Sequence, residues 1–117
     1  MSGQVSYLAG LAAEDTVERR YTDQGFEILE RRWRGKAGEI DLIVRKDDTL
    51  VFIEVKKSRD FARAAARLSD RQIERIYAAA EEFFGQYADA SIQEMRLDVA
   101  LLNALGEVQV LENATCA

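Results

Sequence analysis

An α/β fold with a mixed central sheet flanked by helices is predicted by three observations on this 117-residue chain. Two segments, Gly38–Arg45 and Leu50–Lys56, are rich in Ile, Val and Leu and alternate in the manner of strands. Two longer segments repeat their apolar residues at helical spacing. A late apolar stretch, Met95–Leu102, supplies a strand after the second helix. Strands interleaved with helices pack as a sheet covered by helices.

Taken in order, residues 5–24 read as a helix. Val5, Leu8, Leu11, Ala12, Val17 and Tyr21 approximate one apolar face, and Gly25 is placed to stop it. Phe26–Trp33 reads as a first strand. The next two strands enclose Lys46-Asp47-Asp48-Thr49, a four-residue hairpin loop. Residues 57–68 are open between helix and loop. A firmer helix starts at Ser69, an N-cap with Gln72 as its reciprocal partner and Leu68 and Ile73 placed as a hydrophobic staple. Ile73, Ile76, Tyr77, Ala80, Phe83 and Phe84 form its apolar stripe. After the strand Met95–Leu102, Asn103–Gly106 is a turn and Glu107–Leu111 a last strand. The order is α-β-β-β-α-β-β. No repeat, low-complexity tract or linker interrupts it, so residues 1–117 read as one domain.

Composition narrows the chemistry. Apolar residues make up 48% of the chain, enough for one core. There is no His and one Cys, too few for a zinc site, a Ser-His-Asp triad or a Cys-His pair. Catalysis would have to use carboxylates, Lys, Arg, Tyr or backbone. Cys116 has no partner for an internal disulfide, which fits a reducing cytoplasm. No apolar run approaches a membrane span, and no basic stretch precedes an apolar run at the start as in a secretory signal. The net charge of -5 speaks against a broadly basic coat for nucleic acid. The charge is zoned, however. Residues 31–75 carry thirteen basic residues against eight acids, while residues 76–117 carry one Arg against seven acids. The basic middle suggests a local anionic partner.

The hairpin carries the most informative pattern. With a Lys46–Thr49 loop, Arg45 faces Leu50, Val44 faces Val51, Ile43 faces Phe52 and Leu42 faces Ile53. Extending the ladder sets Asp41 opposite Glu54 and Glu39 opposite Lys56. One face then holds Ile40, Leu42, Val44, Val51, Ile53 and Val55, all apolar. The other gathers Glu39, Asp41, Glu54 and Lys56 at one end, with Ile43 and Phe52 beyond. Like charges directly opposite in a sheet are destabilising. A divalent cation would resolve the conflict, because Mg²⁺ or Mn²⁺ takes hard carboxylate oxygens, a carbonyl and water. Such an ion can activate water against a phosphodiester, with Lys56 placed to steady developing charge. The competing reading is a solvated polar end in which Lys56 pairs with Glu39 and Glu54.

These residues also resemble a known signature. Gly38-Glu39-Ile40-Asp41-Leu42-Ile43 followed by Val51-Phe52-Ile53-Glu54-Val55-Lys56 is similar to the PD-(D/E)XK nuclease motif. The chain looks closest to the YraN family of uncharacterised, endonuclease-like bacterial proteins. Glu14, Gly25-Phe26, Arg34, Arg96-Leu97-Asp98-Val99 and Asn113-Ala114 match further family positions. The arrangement is also similar to archaeal Holliday-junction resolvases. The resemblance implies a restriction-endonuclease-like αβββαβ core. It implies metal ligation by Asp41 and Glu54, a catalytic Lys56, an auxiliary acid at Glu14, and Glu39 within the motif. It implies a Mg²⁺- or Mn²⁺-dependent endonuclease hydrolysing DNA, with branched or structured DNA as a substrate. A homodimer would suit cutting both strands. Departures lie at Ala13, where Gly is usual, at Arg32, where Asn is common, at Lys57-Ser58-Arg59, where Thr-Arg follows the lysine, and at Arg71, where Lys is common.

Other features have two readings each. Arg59, Arg63, Arg67, Arg71 and Arg75 recur every four residues and would form a stripe on one continuous helix. Phosphate contact is favoured for Arg59 and Arg71, which flank the site with Arg34 and Lys57, and a solvated face for Arg63 and Arg67. Trp33 among arginines suits packing better than base stacking. The Phe83-Phe84-Tyr87 stripe suits core or a dimer contact. Asp98 beside Arg96 suits a buried pair better than catalysis, and Glu81-Glu82 a solvated helix face. Two other function classes remain. One is a non-catalytic module on the same fold that binds nucleic acid or a protein. The other is a structural interaction protein using the acidic C-terminal third.

Overall fold

A computed structural model describes residues 3–114, with side chains for residues 12–114. Eight elements follow in order: α1 (Gly3–Asp23), β1 (Glu27–Arg34), β2 (Glu39–Lys46), β3 (Thr49–Lys57), α2 (Phe61–Ala66), α3 (Asp70–Tyr87), β4 (Glu94–Leu102) and β5 (Val108–Leu111). The strands form one mixed sheet in the order β1-β2-β3-β4-β5. β3 and β4 are parallel, and the other neighbours are antiparallel. The expected α/β class with a restriction-endonuclease-like core is the observed one. No helix among the described residues is long and apolar enough to cross a membrane.

Local chemistry explains the element ends. Gly25, at φ +94°, follows α1 in a conformation that costs glycine little. The Ser69 capping box forms as expected: the Ser69 hydroxyl accepts from Gln72 N–H at 3.1 Å, and the Gln72 side chain accepts from Ser69 N–H at 3.3 Å. α3 ends at Ala88, whose N–H reaches the Phe84 carbonyl at 2.9 Å. The open segment 57–68 contains α2, which Asp60 starts by accepting from Arg63 N–H at 2.8 Å. Two N-caps, Asp60 and Ser69, therefore interrupt the arginine repeat. The stripe that one continuous helix would have made from Arg59 to Arg75 does not form. Arg63 pairs with Asp60, and Arg67 donates to the Lys57 carbonyl at 2.8 Å.

Each sheet face buries a core. α1 contributes Ala13, Val17 and Tyr21 to the core with Leu42, Val44, Val51, Ile53, Ala100 and Leu102. Val17 and Tyr21 of the expected α1 face are buried, while Ala12 is exposed and Ala13 buried in its stead, since positions 13, 17 and 21 line up at a spacing of four. Val5, Leu8 and Leu11 lie outside the residues whose side chains are described. α3 covers the opposite face through Ile73, Ile76, Ala79, Ala80 and Phe83 against Ile43, Leu50, Phe52 and Leu97. Trp33 packs edge-on to Phe83, with centroids 5.4 Å apart, and Tyr87 stacks on Phe83 at 5.5 Å. These aromatics are core.

The hairpin register is the expected one from Arg45↔Leu50 to Leu42↔Ile53. The loop is shorter than expected. Lys46 pairs with Thr49, leaving Asp47-Asp48 as the turn, with Asp47 at φ +54°. Arg45 locks this end through Tyr87, Asp89 and Ser91 at 2.8, 2.6 and 2.7 Å. The Ser91 hydroxyl first, and Arg45 second, pull the Asp89 carboxyl down to about 2. Ile40 departs from the expected face. It joins the α3-side core while Leu42 joins the α1-side core, so strict alternation breaks at Asp41 between them. Glu82 departs from the solvated reading of its helix face. It accepts from the backbone N–H of Lys36 and Ala37 at 3.0 and 3.1 Å, fastening the β1–β2 turn to α3.

Candidate functional site

The site lies where β2 and β3 part. Their ladder runs from Lys46↔Thr49 to Leu42↔Ile53, and β3 continues alongside β4 through Glu54↔Val99, Lys56↔Leu101 and Lys57↔Leu102. At this opening the Asp41 carboxylate accepts from Val55 N–H at 2.8 Å. That bond fixes one Asp41 oxygen and brings its side chain within hydrogen-bonding reach of Glu54. The expected ladder pair Asp41↔Glu54 is not formed, and the two carboxylates approach through their side chains instead.

Its electrostatics follow. Burial first, then the adjacent Asp41, raises the Glu54 carboxyl well above the ordinary carboxylate range, and the Lys56 charge opposes the rise. Like charges this close are costly. The same crowding is relieved by a cation. Glu39 turns elsewhere than the extended ladder suggests: it pairs with Arg34 on β1, in register and by an ion pair of 3.0 Å. Lys56 thus acts on Glu54 and has no ion pair with Glu39.

Glu14 reaches the same region from α1. A cleft of about 460 Å³ is lined by Glu14, Asp15, Glu18, Arg31, Arg32, Asp41 and Leu42. Burial raises the Glu14 carboxyl, with Arg32 opposing and with Asp41 and Glu39 adding to the rise. Arg32 Nε sits 2.9 Å from Glu14 Oε2, and Arg31 forks onto Glu18. Among the described residues no three ligating side chains form a ready-made metal cluster. The donor set is a carboxylate pair, which suits Mg²⁺ or Mn²⁺, ions that keep several waters and bind through one or two carboxylates plus substrate phosphate.

The basic residues divide. Lys57 and Arg59 are exposed just beyond Lys56, where Ser58 N–H and the Arg59 carbonyl join the Leu102–Ala104 backbone. Arg34 is exposed on the far side of Glu39, and Arg71 in the first turn of α3. Asp98 sits apart, fully buried. It accepts from Arg96 at 2.8 and 3.0 Å, from the Tyr21 hydroxyl at 2.7 Å and from Asn113 N–H at 3.1 Å. The expected Arg96 pair is there. The bond to Tyr21, 77 residues away in sequence, had no local signal.

The model of the uncharacterised protein family UPF0102 matches residues 13–102, a span that holds Glu14, Asp41, Glu54, Lys56 and Asp98. The chain belongs to the UPF0102 family. This is the YraN family that the motifs resemble. A UPF0102 protein of Cereibacter sphaeroides is 53% identical over 117 residues, covering 100% of both chains. One of Ruegeria pomeroyi is 51% identical over 112 residues, 96% of this chain and 91% of its own. Another, of Ruegeria sp. strain TM1040, is 41% identical over 112 residues, 96% of this chain and 90% of its own.

The raised Glu54 carboxyl in this UPF0102 chain has a consequence for stability. Below the ordinary value of 4.5 both folded and unfolded chains hold the proton, and nothing is lost. Above it the unfolded chain releases the proton first, so stability falls as pH rises until folded Glu54 also ionises. Glu14 acts in the same direction. Glu18, held down by Arg31, acts oppositely and at lower pH. In metal-free buffer the melting temperature should fall between about pH 5 and about pH 8, and Glu54→Gln should flatten that slope. Identical slopes in both proteins would contradict the coupling.

Proposed function

We propose that this UPF0102 chain is a Mg²⁺- or Mn²⁺-dependent endonuclease that hydrolyses phosphodiester bonds in DNA, with branched or structured DNA as substrate. The observation that carries the proposal is the Asp41–Glu54 contact at the parted end of β2 and β3, with Lys56 two residues on. Uncompensated carboxylates in contact cost stability, and a divalent cation recovers that cost.

Asp41 and Glu54 would hold the metal, which supplies Lewis-acid charge and an activated water when bound. Val55 N–H keeps one Asp41 oxygen oriented. Lys56 offers its ammonium to the negative charge that develops on the phosphoryl oxygens. Glu14 is an auxiliary acid facing the same cleft, and Glu39 orients Arg34. Arg34, Lys57, Arg59 and Arg71 would meet flanking phosphates, where Arg gives bidentate contacts. A net charge of -5 suits recognition through these few cations and weak non-specific binding. The reading places the protein in the cytoplasm, and a homodimer would supply two sites for two strands.

The test is cleavage of duplex, single-stranded, flapped and four-way-junction DNA with Mg²⁺ or Mn²⁺. Cutting by the wild type that disappears in Glu54→Ala is expected. No cutting of any substrate, or equal residual cutting by Glu54→Ala, contradicts the proposal. Salt-sensitive DNA binding without cutting that survives Asp41→Ala and Glu54→Ala would assign a non-catalytic binding module instead.

A further inference from the structure

Arg32 is held in a strained place beside the proposed metal centre. Its φ is +50°, a left-handed region that Asn and Gly enter readily and long side chains rarely. Residues kept in such regions persist where their surroundings over-determine them, and they gather at functional sites. The consequence here is geometric. Consecutive strand residues normally face opposite sides of a sheet. Arg31 and Arg32 instead both reach α1, Arg31 to Glu18 and Arg32 to Glu14. Arg31 pairs with Leu42 and Trp33 with Ile40, so Arg32 and Asp41 occupy the positions between those pairs. The turn at Arg32 thus places a guanidinium in the cleft that Glu14 shares with Asp41. One cation already occupies the acid that a metal ion would otherwise draw in.

We propose that Arg32 is a positioning residue that competes with the divalent cation for Glu14, holding that acid away from the Asp41–Glu54 centre in the substrate-free chain. The inference rests on the metal reading of that centre. The resting chain then offers the metal two carboxylates, with Glu14 tied to a guanidinium at 2.9 Å. A phosphodiester entering the cleft offers the same guanidinium a bidentate partner. Arg32 moving to phosphate frees Glu14 to complete the centre, so metal affinity and substrate occupancy rise together.

The test is calorimetric titration of the full chain with Mn²⁺. Arg32→Asn and Arg32→Gly both suit φ +50° better than Arg does, so the fold should survive either. Each should bind Mn²⁺ about tenfold more tightly than wild type, the scale on which neighbours of a ligand tune a metal site. Glu14→Gln alone should cost far less affinity than Asp41→Ala. Adding Glu14→Gln to Arg32→Asn should erase the gain. Unchanged or weaker binding by both Arg32 variants overturns the inference. So does a gain that persists undiminished with Glu14→Gln, since it would reflect net charge alone. If wild-type binding is lost in Asp41→Ala but Arg32→Asn changes nothing, the metal centre stands and the competition falls. If neither wild type nor Arg32→Asn binds Mn²⁺, both fall.

Discussion

Lys56→Ala is expected to keep stoichiometric Mn²⁺ and to lose DNA cleavage by about 10²–10³-fold, the usual cost of removing one donor aimed at transition-state charge. An ammonium carries no lone pair for a metal, so Lys56 cannot be a ligand. It is nevertheless rigidly placed, because β3 stays paired with β4 at Lys56↔Leu101 after it has parted from β2. The substitution has a second signature. Lys56 opposes the rise of the Glu54 carboxyl. Without it, Glu54 holds its proton more tightly, and the metal must displace that proton. The same loss removes the ammonium's repulsion toward a doubly charged ion, which outweighs the gain of the single proton, so Mn²⁺ affinity of Lys56→Ala should equal or exceed wild type. Cleavage by Lys56→Ala at the wild-type level would show that Lys56 belongs to the solvated end of a hairpin.

Asp98→Ala is expected to destabilise the chain by about 3–5 kcal/mol, the range for breaking a buried ion pair from one side. Asp98 is fully buried, and its loss leaves the half-buried Arg96 guanidinium, the Tyr21 hydroxyl and Asn113 N–H without their acceptor. Burial and the Asp98 charge both raise the Tyr21 hydroxyl, so it stays a donor at all ordinary pH. Tyr21→Phe removes one bond and should cost about 1–2 kcal/mol. Urea midpoints at unchanged slope measure both effects. Replacing the pair together, Asp98→Leu with Arg96→Met, should recover part of the loss. The hub also explains the tail: Asn113 N–H docks on Asp98, Ala114 N–H on the Leu97 carbonyl, and the Tyr77 hydroxyl on the Ala114 carbonyl.

What could be read beforehand was local or periodic. The Ser69–Gln72 box lies within one turn of helix. The register from Arg45↔Leu50 to Leu42↔Ile53 follows from apolar alternation, because a slip of one residue would turn a buried face outward. What could not be read depends on contacts distant in sequence or on departures from alternation. Ile40 and Leu42 share parity yet enter different cores, and nothing in the order of residues marks the break at Asp41. The arginine repeat would line up only on one continuous helix; the break at Ser69 was legible, whereas the separate helix that Asp60 starts lies in the segment left open. Glu82 found its donors 45 and 46 residues away, on the β1–β2 turn.

The candidate site divides the same way. Asp41, Glu54 and Lys56 were legible because one hairpin carries all three. Glu14 was placed by resemblance, and the cleft it shares with Asp41 requires α1 to pack across β1 and β2. Arg32 was visible only as a departure from a common Asn, and its left-handed backbone has no signature in an Arg side chain. The net charge of -5 also reads differently once the pairs are known. Glu14, Glu18, Glu39 and Asp98 are each matched to an arginine, while Asp41 and Glu54 face each other.

A metal centre in this chain depends on that last contact. Calorimetric titration of wild type and Asp41→Ala with Mn²⁺ tests it most directly. One Mn²⁺ per chain in the wild type, lost in Asp41→Ala with the fold intact by circular dichroism, is the expected result. Equal binding by both proteins, or none by either, would contradict a metal centre at Asp41 and Glu54.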